Sequence, residues 1–338
     1  MQRVNLPGSD LNVSPICLGT WQFNGGQVGG DKTWGAMSVE ESKKIWDKAL
    51  ETGINFIDTA EAYLNSHSVL GQIMDPSKRR DIVLASKVGN GKGANSAPYT
   101  AEDIDQAVTT SLEKLKTDYI DLYQVHWPTI MADVNETVAE LKRQQAKGRI
   151  RYYGVCNFGP NDLRGFLEAG GQPISNQVCY NLLWRSIEEE LLPLCQEKGI
   201  SLLPYSPLQQ GLLTGKFQMP SDVPEGRRRG KLFHKDSTPL ARHGHDGAEK
   251  EVFQAISEIR EVCAKANIPM ATASLSWLLQ QPCVKSVIVG ASNPQQVVEN
   301  CQRVTLPEDV VQKFSAATDP VKVIFKGDMD QWAYGRSS

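Results

Sequence analysis

The chain has 338 residues, a formal net charge of −3 at pH 7 and 40% hydrophobic residues. That balance offers no basic footprint for nucleic acid, and no apolar run reaches the length of a membrane span. The start, MQRVNLPGSD, lacks the apolar core of a signal peptide, so a cytoplasmic protein is expected; seven scattered cysteines without a CxxC pair argue against a disulfide framework or a zinc site.

A hairpin opens the chain, with residues 3–6 and 11–13 flanking the tight-turn composition Pro7-Gly8-Ser9-Asp10. Eight short apolar segments then read as strands, at 16–18, 55–57, 82–85, 120–125, 152–155, 176–179, 201–203 and 286–289. They are rich in β-branched and aromatic residues, as strands buried on both faces are. Between them lie amphipathic stretches. The spacing predicts a helix over 39–52, with Ile45, Ala49 and Leu50 on one face and Gly53 as its stop. A helix over 100–116 opens with Thr100-Ala101-Glu102-Asp103, a capping-box spacing with Asp in place of Glu. Helices over 135–147 and 187–198 end at Gly148 and Gly199, and further helices are expected over 249–266, 271–280 and 294–301.

This alternation has no linker and no repeat beyond its own rhythm. It predicts an α/β fold, a single (β/α)8 TIM barrel with right-handed crossovers that fills 1–338 as one domain. The stretch 209–248, after the seventh strand, is long, irregular and rich in Gly, Pro and charge, which suits a functional lid. The tail 319–338 carries Phe325, Trp332 and Tyr334 without a clear period; its aromatics either pack over the barrel or leave it mobile.

Chemistry in a barrel gathers at the ends of its strands. The second strand runs into Asp58-Thr59-Ala60-Glu61-Ala62-Tyr63, the third into Ser86-Lys87, and the fourth into Gln124-Val125-His126-Trp127. Three neighbouring strands thus bring an Asp, a Tyr, a Lys and a His to one rim. The set suits proton delivery to a carbonyl oxygen. A free phenol titrates at about 10, and a cation at Lys87 stabilises its phenolate. A buried lysine keeps its charge when a carboxylate such as Asp58 holds it. His126 donates a hydrogen bond that orients the carbonyl. No side chain supplies a hydride, so a nicotinamide cofactor is expected. Trp21, Phe23 and Trp127 at the rim suit an apolar substrate wall, with Tyr63 and His126 completing the substrate contacts.

At this point the sequence resembles the aldo-keto reductase family, over about residues 4–300. The segments that carry the likeness are Leu18-Gly19-Thr20-Trp21, Asp58 to Tyr63 with Leu70-Gly71 downstream, Ala85-Ser86-Lys87, and Asp121-Leu122-Tyr123-Gln124-Val125-His126-Trp127-Pro128. They continue through Gly154-Val155-Cys156-Asn157-Phe158, Gln177-Val178-Cys179-Tyr180-Asn181, Tyr205-Ser206-Pro207-Leu208 and Gly211-Leu212-Leu213-Thr214-Gly215-Lys216. The last is Ile288-Val289-Gly290-Ala291-Ser292-Asn293, running on to Gln296, Glu299 and Asn300. The resemblance implies that Tyr63 is the general acid/base, Lys87 and Asp58 its tuning pair, and His126 the carbonyl-orienting residue. It implies cofactor contacts from Gly19, Thr20, Trp21 and Asp58 at the rim. Asn157 and Gln177 would hold the nicotinamide carboxamide beside Cys156, which stands where many members have Ser. Tyr205 would stack on the nicotinamide. Ser206, Pro207, Leu208 and Gly211 would form the pyrophosphate loop, with Lys216 and Arg227 near it. Gly290, Ser292, Gln296, Glu299 and Asn300 would surround the adenosine. One departure follows the tyrosine: Leu64-Asn65-Ser66-His67 stands where many relatives have a Gly and then a Glu.

The implied function is NADP(H)-dependent reduction of aldehyde or ketone carbonyls, with a small-molecule substrate, no nucleic-acid or membrane partner, and no oligomeric state legible. Gly290 and Gln296 are uncharged where many relatives carry basic residues. NADP(H) preference is therefore expected to be weak enough to leave NAD(H) usable. The rival reading is a cofactor-binding regulatory subunit on the same barrel, and a third is a non-redox barrel that recognises a ligand. His234, His243 and His245 lack a clear ligand set, so no metal is expected. Arg227, Arg228 and Arg229 read equally as a solvated run or as a phosphate contact.

Overall fold

A computed structural model describes residues 1–27, 35–89 and 98–333; Tyr334 lies outside them. Strands β1 (Val4–Asn5) and β2 (Asn12–Val13) form the expected antiparallel hairpin. The remaining strands are β3 (Ile16–Gly19), β4 (Phe56–Asp58), β5 (Val83–Val88), β6 (Ile120–Val125), β7 (Ile150–Cys156), β8 (Ser175–Cys179), β9 (Ser201–Tyr205) and β10 (Val287–Val289). They form one parallel sheet in the order β10-β3-β4-β5-β6-β7-β8-β9. The ring closes where Leu202 bridges Val284 in parallel, the Leu202 amide donating to the Cys283 carbonyl at 2.9 Å. The fold is a (β/α)8 TIM barrel.

Outside the sheet run α1 (Val39–Glu51), α2 (Ser66–Ile73), α3 (Ala101–Leu115), α4 (Val134–Ala146), α5 (Pro160–Glu168), α6 (Leu191–Lys198), α7 (Glu249–Ala266), α8 (Met270–Leu279), α9 (Pro294–Asn300) and α10 (Glu308–Ile324). The capping box at α3 forms as expected, with Asp103 Oδ2 accepting from the Thr100 amide at 2.9 Å. The helix expected over 187–198 divides into a 3-10 turn at Ser186–Glu188 followed by α6.

Three helices were not expected from the sequence. Nearly every side of α2 is buried, including Ser66, His67, Val69, Leu70 and Gly71, so it shows no polar face. Its Gly71 lies against the end of α3, where an added Cβ would fall on the Lys114 carbonyl oxygen. Only nine residues make up α5. Despite Pro320, α10 keeps a buried stripe of Val310, Phe314, Ala317 and Val321, and it packs along α7. Arg185 fastens α10 through Thr318 Oγ1 at 2.9 Å and Asp319 Oδ1 at 2.8 Å. The 209–248 stretch contains short 3-10 turns at Gln209–Thr214, Pro220–Asp222 and Glu225–Arg227.

Strand periodicity sets what the barrel holds. Side chains at every second position point inward. Leu6, Leu11 and Val13 of the hairpin region pack with Cys17, Phe56, Val83, Ala85, Leu122, Leu203 and Ile288 as one buried cluster, plugging the lower barrel. Two positions beyond Phe56 stands Asp58, two beyond Ala85 stands Lys87, and two beyond Leu122 stands Gln124. An apolar floor therefore gives way to a charged and polar layer at the carboxyl end of the strands.

Candidate active site

Register places the polar layer together. Asp58 pairs with Gly19 and Ala85 in the neighbouring strands, Lys87 with Gln124, and Cys156 with Gln177. Lys87 is fully buried, and its Nζ donates to Asp58 Oδ1 at 2.5 Å, to the Thr59 carbonyl at 2.9 Å and to Tyr63 Oη at 3.2 Å. All three ammonium protons thus find acceptors. Burial drives the Lys87 ammonium toward its neutral form; the carboxylate of Asp58 and the nearby Tyr63 more than offset this and hold it above its ordinary value. The lysine stays charged for the reason anticipated. Asp58 uses its other oxygen to accept from Gln177 Nε2 at 2.9 Å.

Tyr63 is half-buried, and its ring centroid lies 6.0 Å from His126 and 6.3 Å from Trp21. Burial pushes its phenol above the ordinary value. Lys87 pulls in the opposite direction, as expected of it, but burial outweighs it, and Asp58 adds to the upward push. The tyrosine is therefore kept protonated. His126 stacks on Trp127 with centroids 3.5 Å apart, which fixes the plane of the imidazole.

The departure after Tyr63 has a backbone consequence. Leu64 has φ 39°, in the left-handed region that glycine enters freely, so the turn carries strain at this residue. Beyond it, Ser66 Oγ contacts Thr20 Oγ1 at 2.8 Å and accepts from Thr59 Oγ1 at 3.0 Å. His67 Nε2 meets Ser86 Oγ at 2.8 Å. These bonds tie the Tyr63 turn to the strands behind it.

A cavity of about 720 Å³ opens over this layer, within the range of cofactor and ligand sites. Every candidate cofactor residue named from the sequence lines it, while Lys87 lies beneath its floor. Asn157 has φ 63° and is held on both sides: its Nδ2 donates to the His126 carbonyl at 3.0 Å and its Oδ1 accepts from Tyr205 Oη at 2.8 Å. That bond fixes the Tyr205 ring along the cavity wall. Ser206, Gln209, Gln210 and Gly211 all have positive φ, a concentration of strained backbone of the kind kept at ligand-binding loops. Beside that loop, Arg227 Nη1 approaches the Gln210 carbonyl at 3.4 Å, and a Cβ on Gly211 would meet Lys216 Nζ at 2.9 Å. Burial, and next the charge of Arg227, hold Lys216 below its ordinary value. Two cations pressed together beside glycine-bearing backbone form a donor set that fits a pyrophosphate. At the opposite end, Gln296 Oε1 accepts from the Ser292 amide at 2.8 Å, and Asn293 caps α9.

The cavity has further lining residues, of which Gln22, Met270 and Arg242 were not singled out in the sequence. Gln22 reaches across to donate to the Ala291 carbonyl at 2.8 Å and covers Gly290. Met270 comes from the start of α8, Arg229 and Arg242 from the long loop, and Trp332 from the tail. The arginine run and the tail aromatic were visible signals; which of them faced inward was not. The three loop histidines turn to another use, since the Nδ1 atoms of His234, His243 and His245 accept from the amides of Asp236, His245 and Gly247. Among the described residues no group of three His, Cys, Asp or Glu is arranged to hold a metal. No helix of the described residues is long and apolar enough to cross a membrane.

The aldo/keto reductase family model matches residues 15–319. The NADH-specific methylglyoxal reductase of Escherichia coli (strain K12) is 33% identical over 321 residues, covering 89% of this chain and 92% of the relative. A probable voltage-gated potassium channel subunit beta of Arabidopsis thaliana is 30% identical over 315 residues, covering 90% and 91%. Among solved structures, the glycerol dehydrogenase AKR11B4 of Gluconobacter oxydans matches with a TM-score of 0.75 at 26% identity, over 97% of each chain. With its barrel matched almost end to end, the chain belongs to the aldo/keto reductase family, whose general activity is NADP(H)-dependent carbonyl oxidoreduction.

Proposed function

We propose that this protein reduces aldehyde or ketone carbonyls to alcohols, with Tyr63 as the proton donor. The observation that carries the reading is the contact of Lys87 Nζ with both Asp58 Oδ1 and Tyr63 Oη at the floor of the cavity. Lys216 and Arg227 would hold the pyrophosphate of a nicotinamide dinucleotide, Tyr205 would face its nicotinamide ring, and Gln296 and Glu299 would flank its adenosine. When bound, the reduced nicotinamide supplies the hydride that the carbonyl carbon takes up. His126 holds the carbonyl oxygen toward Tyr63. Tyr63 Oη gives that oxygen its proton, so the product is a neutral alcohol. The phenolate left behind sits 3.2 Å from the Lys87 ammonium, which stabilises it until solvent returns the proton.

NADP(H) is the proposed cofactor, with NAD(H) usable. No cation from the segment after β10 lines the cavity, and Ser292 and the start of α9 are left to meet a 2′-phosphate. The same feature favours a second reading, NADH preference, which is in keeping with the name of the Escherichia coli relative.

Tyr63→Phe tests the reading, since it removes the donor and keeps the ring. Turnover of a generic aldehyde is expected to fall by about 10²–10⁴-fold, while cofactor affinity, read by fluorescence quenching, stays near wild type. Near-wild-type turnover in Tyr63→Phe overturns the assignment. A wild-type protein that binds cofactor but turns over no carbonyl supports instead a regulatory role, as the potassium-channel relative suggests.

A further inference from the structure

The polar layer beneath Tyr63 continues past Asp58 and Lys87. Gln124 is fully buried on β6, with Lys87 as its register partner on β5 and Gly154 on β7. Gly154 puts no side chain between β6 and β8; a Cβ there would fall on Ser175 Oγ and touch Gln124 Cγ at 3.4 Å. Across that gap Gln124 reaches Gln177 on β8. Gln177 Nε2 donates to Gln124 Oε1 at 3.4 Å and to Asp58 Oδ2 at 2.9 Å. Both N–H bonds of one amide are thereby used.

These acceptors decide which way the Gln177 amide turns. Lys87 stays charged against Asp58, so Asp58 Oδ2 is a carboxylate oxygen and only accepts. A flipped Gln177 would set its Oε1 against that oxygen and against Gln124 Oε1, three acceptors together. Gln177 also lines the cavity, where solvent or a ligand competes for its N–H groups, and Gln124 is the buried acceptor that opposes such a turn. Packing gives no reason for a glutamine at this position. Its Nε2 is buried and meets no acceptor among the described residues, a penalty that an apolar side chain of equal length avoids. The bond that Gln124 Oε1 does make leads, through Gln177, to the carboxylate that holds Lys87 beside Tyr63.

We propose that Gln124 is a positioning residue for the reaction: through Gln177 it keeps a donor on Asp58 Oδ2, fixing the carboxylate so that Oδ1 holds the Lys87 ammonium against Tyr63. This rests on the carbonyl-reductase reading and adds to it a residue that touches neither the substrate nor the reacting atoms. Without the Gln124 acceptor, one Gln177 N–H has no partner under the floor of the cavity. The amide then turns toward the cavity, Asp58 loses its second donor and rotates, and the ammonium moves away from the phenol oxygen.

Gln124→Met tests this, since it keeps the length of the side chain and removes both its acceptor and its unpaired N–H. The thermal unfolding temperature should hold or rise. At saturating cofactor, kcat/KM for a generic aldehyde should fall by about 3–10-fold, the worth of one neutral hydrogen bond. Alcohol oxidation, which needs the Tyr63 phenolate, should follow a pH profile displaced to higher pH. Gln177→Met should lose at least as much, and the double variant no more than Gln177→Met alone, because the two residues act in series. Gln124→Leu, the second apolar variant, should behave as Gln124→Met does. A readout without turnover is the Lys87 ammonium resonance in protein carrying isotopically labelled lysine, identified by its loss in Lys87→Met; it should shift in Gln124→Met and in Gln177→Met. Wild-type kcat/KM or an unmoved ammonium resonance in Gln124→Met, losses that add in the double variant, or a loss that accompanies a lowered unfolding temperature in both apolar variants, overturns the assignment of Gln124. If no aldehyde is reduced but the ammonium resonance responds to both Gln124→Met and Gln177→Met, the positioning stands and the carbonyl-reductase reading is what fails.

Discussion

Removing the charge of Lys87 separates its structural role from its chemical one. Asp58 is 1% exposed, with one oxygen on Lys87 and the other on Gln177. In Lys87→Met the carboxylate loses its ammonium and takes up a proton rather than remain charged in burial. Protonating an ordinary aspartate at pH 7, about three pH units above its midpoint, costs about 4 kcal/mol. That agrees with the ~3–5 kcal/mol found when one partner of a buried pair is removed. The sign follows from linkage: the variant's fold holds a proton that the unfolded chain releases, so its penalty is largest near pH 7 and fades as pH falls toward 4. Adding Asp58→Asn removes the need for that proton, so the double variant should recover at least half of the lost stability. It should recover none of the activity, because the phenolate of Tyr63 still has no cation beside it. Urea unfolding at pH 4 to 8, with kcat/KM for one aldehyde, measures both. A pH-independent penalty, or a double variant that regains turnover, refutes the reasoning.

His67 is buried against Ser86, and burial, followed by the charges of Lys114 and Lys87, pushes its imidazole down to about 3. An imidazole that titrates near 6.5 when unfolded then contributes stability that is complete above pH 6.5 and is lost as pH falls toward 3, up to about 5 kcal/mol in all. His67→Gln should flatten the stability profile across that window relative to wild type, and parallel profiles would show the histidine to be already charged in the fold. Leu64→Gly relieves a left-handed residue at an exposed turn and is expected to raise stability by about 1 kcal/mol at most, since glycine's unfolded-state entropy offsets part of the gain; a destabilised variant would mean that the leucine side chain contributes contacts of its own. Lys216→Met and Arg227→Met should each weaken NADPH and NADH about equally, by about 10-fold or more, because both cofactors share the pyrophosphate. With the wild type, kcat/KM is expected to favour NADPH by about 10–100-fold. A loss confined to NADPH in either variant would relocate these cations to the 2′-phosphate, and a wild-type preference for NADH would remove NADP(H) as the proposed cofactor.

Periodicity along the chain was enough to locate the barrel strands within three residues at either end, because strands buried on both faces are apolar over most of their length. The same period of two carried the chemistry. Once Phe56, Ala85 and Leu122 point inward, Asp58, Lys87 and Gln124 must follow them one layer higher, so the grouping of Asp58 and Lys87 was implicit in local sequence. Helix α2 was not legible, for it is buried on most sides and a stripe is readable only on a helix with one wet face, whereas α5 and α10 do have stripes, Leu163 with Phe166 and Val310 with Phe314, Ala317 and Val321. The net effect on Tyr63 was not legible either: a lysine close by was expected to lower its phenol, and only the depth of the cavity decided that burial prevails. The long loop marked the limit. Three consecutive arginines look alike in sequence, yet Arg227 turns to Gln210, 17 positions upstream, while Arg229 meets Trp21 some two hundred positions upstream and Trp332 about one hundred downstream. A segment without periodicity has no inward face of its own, so its side chains take their directions from the packing of the tail and the rim.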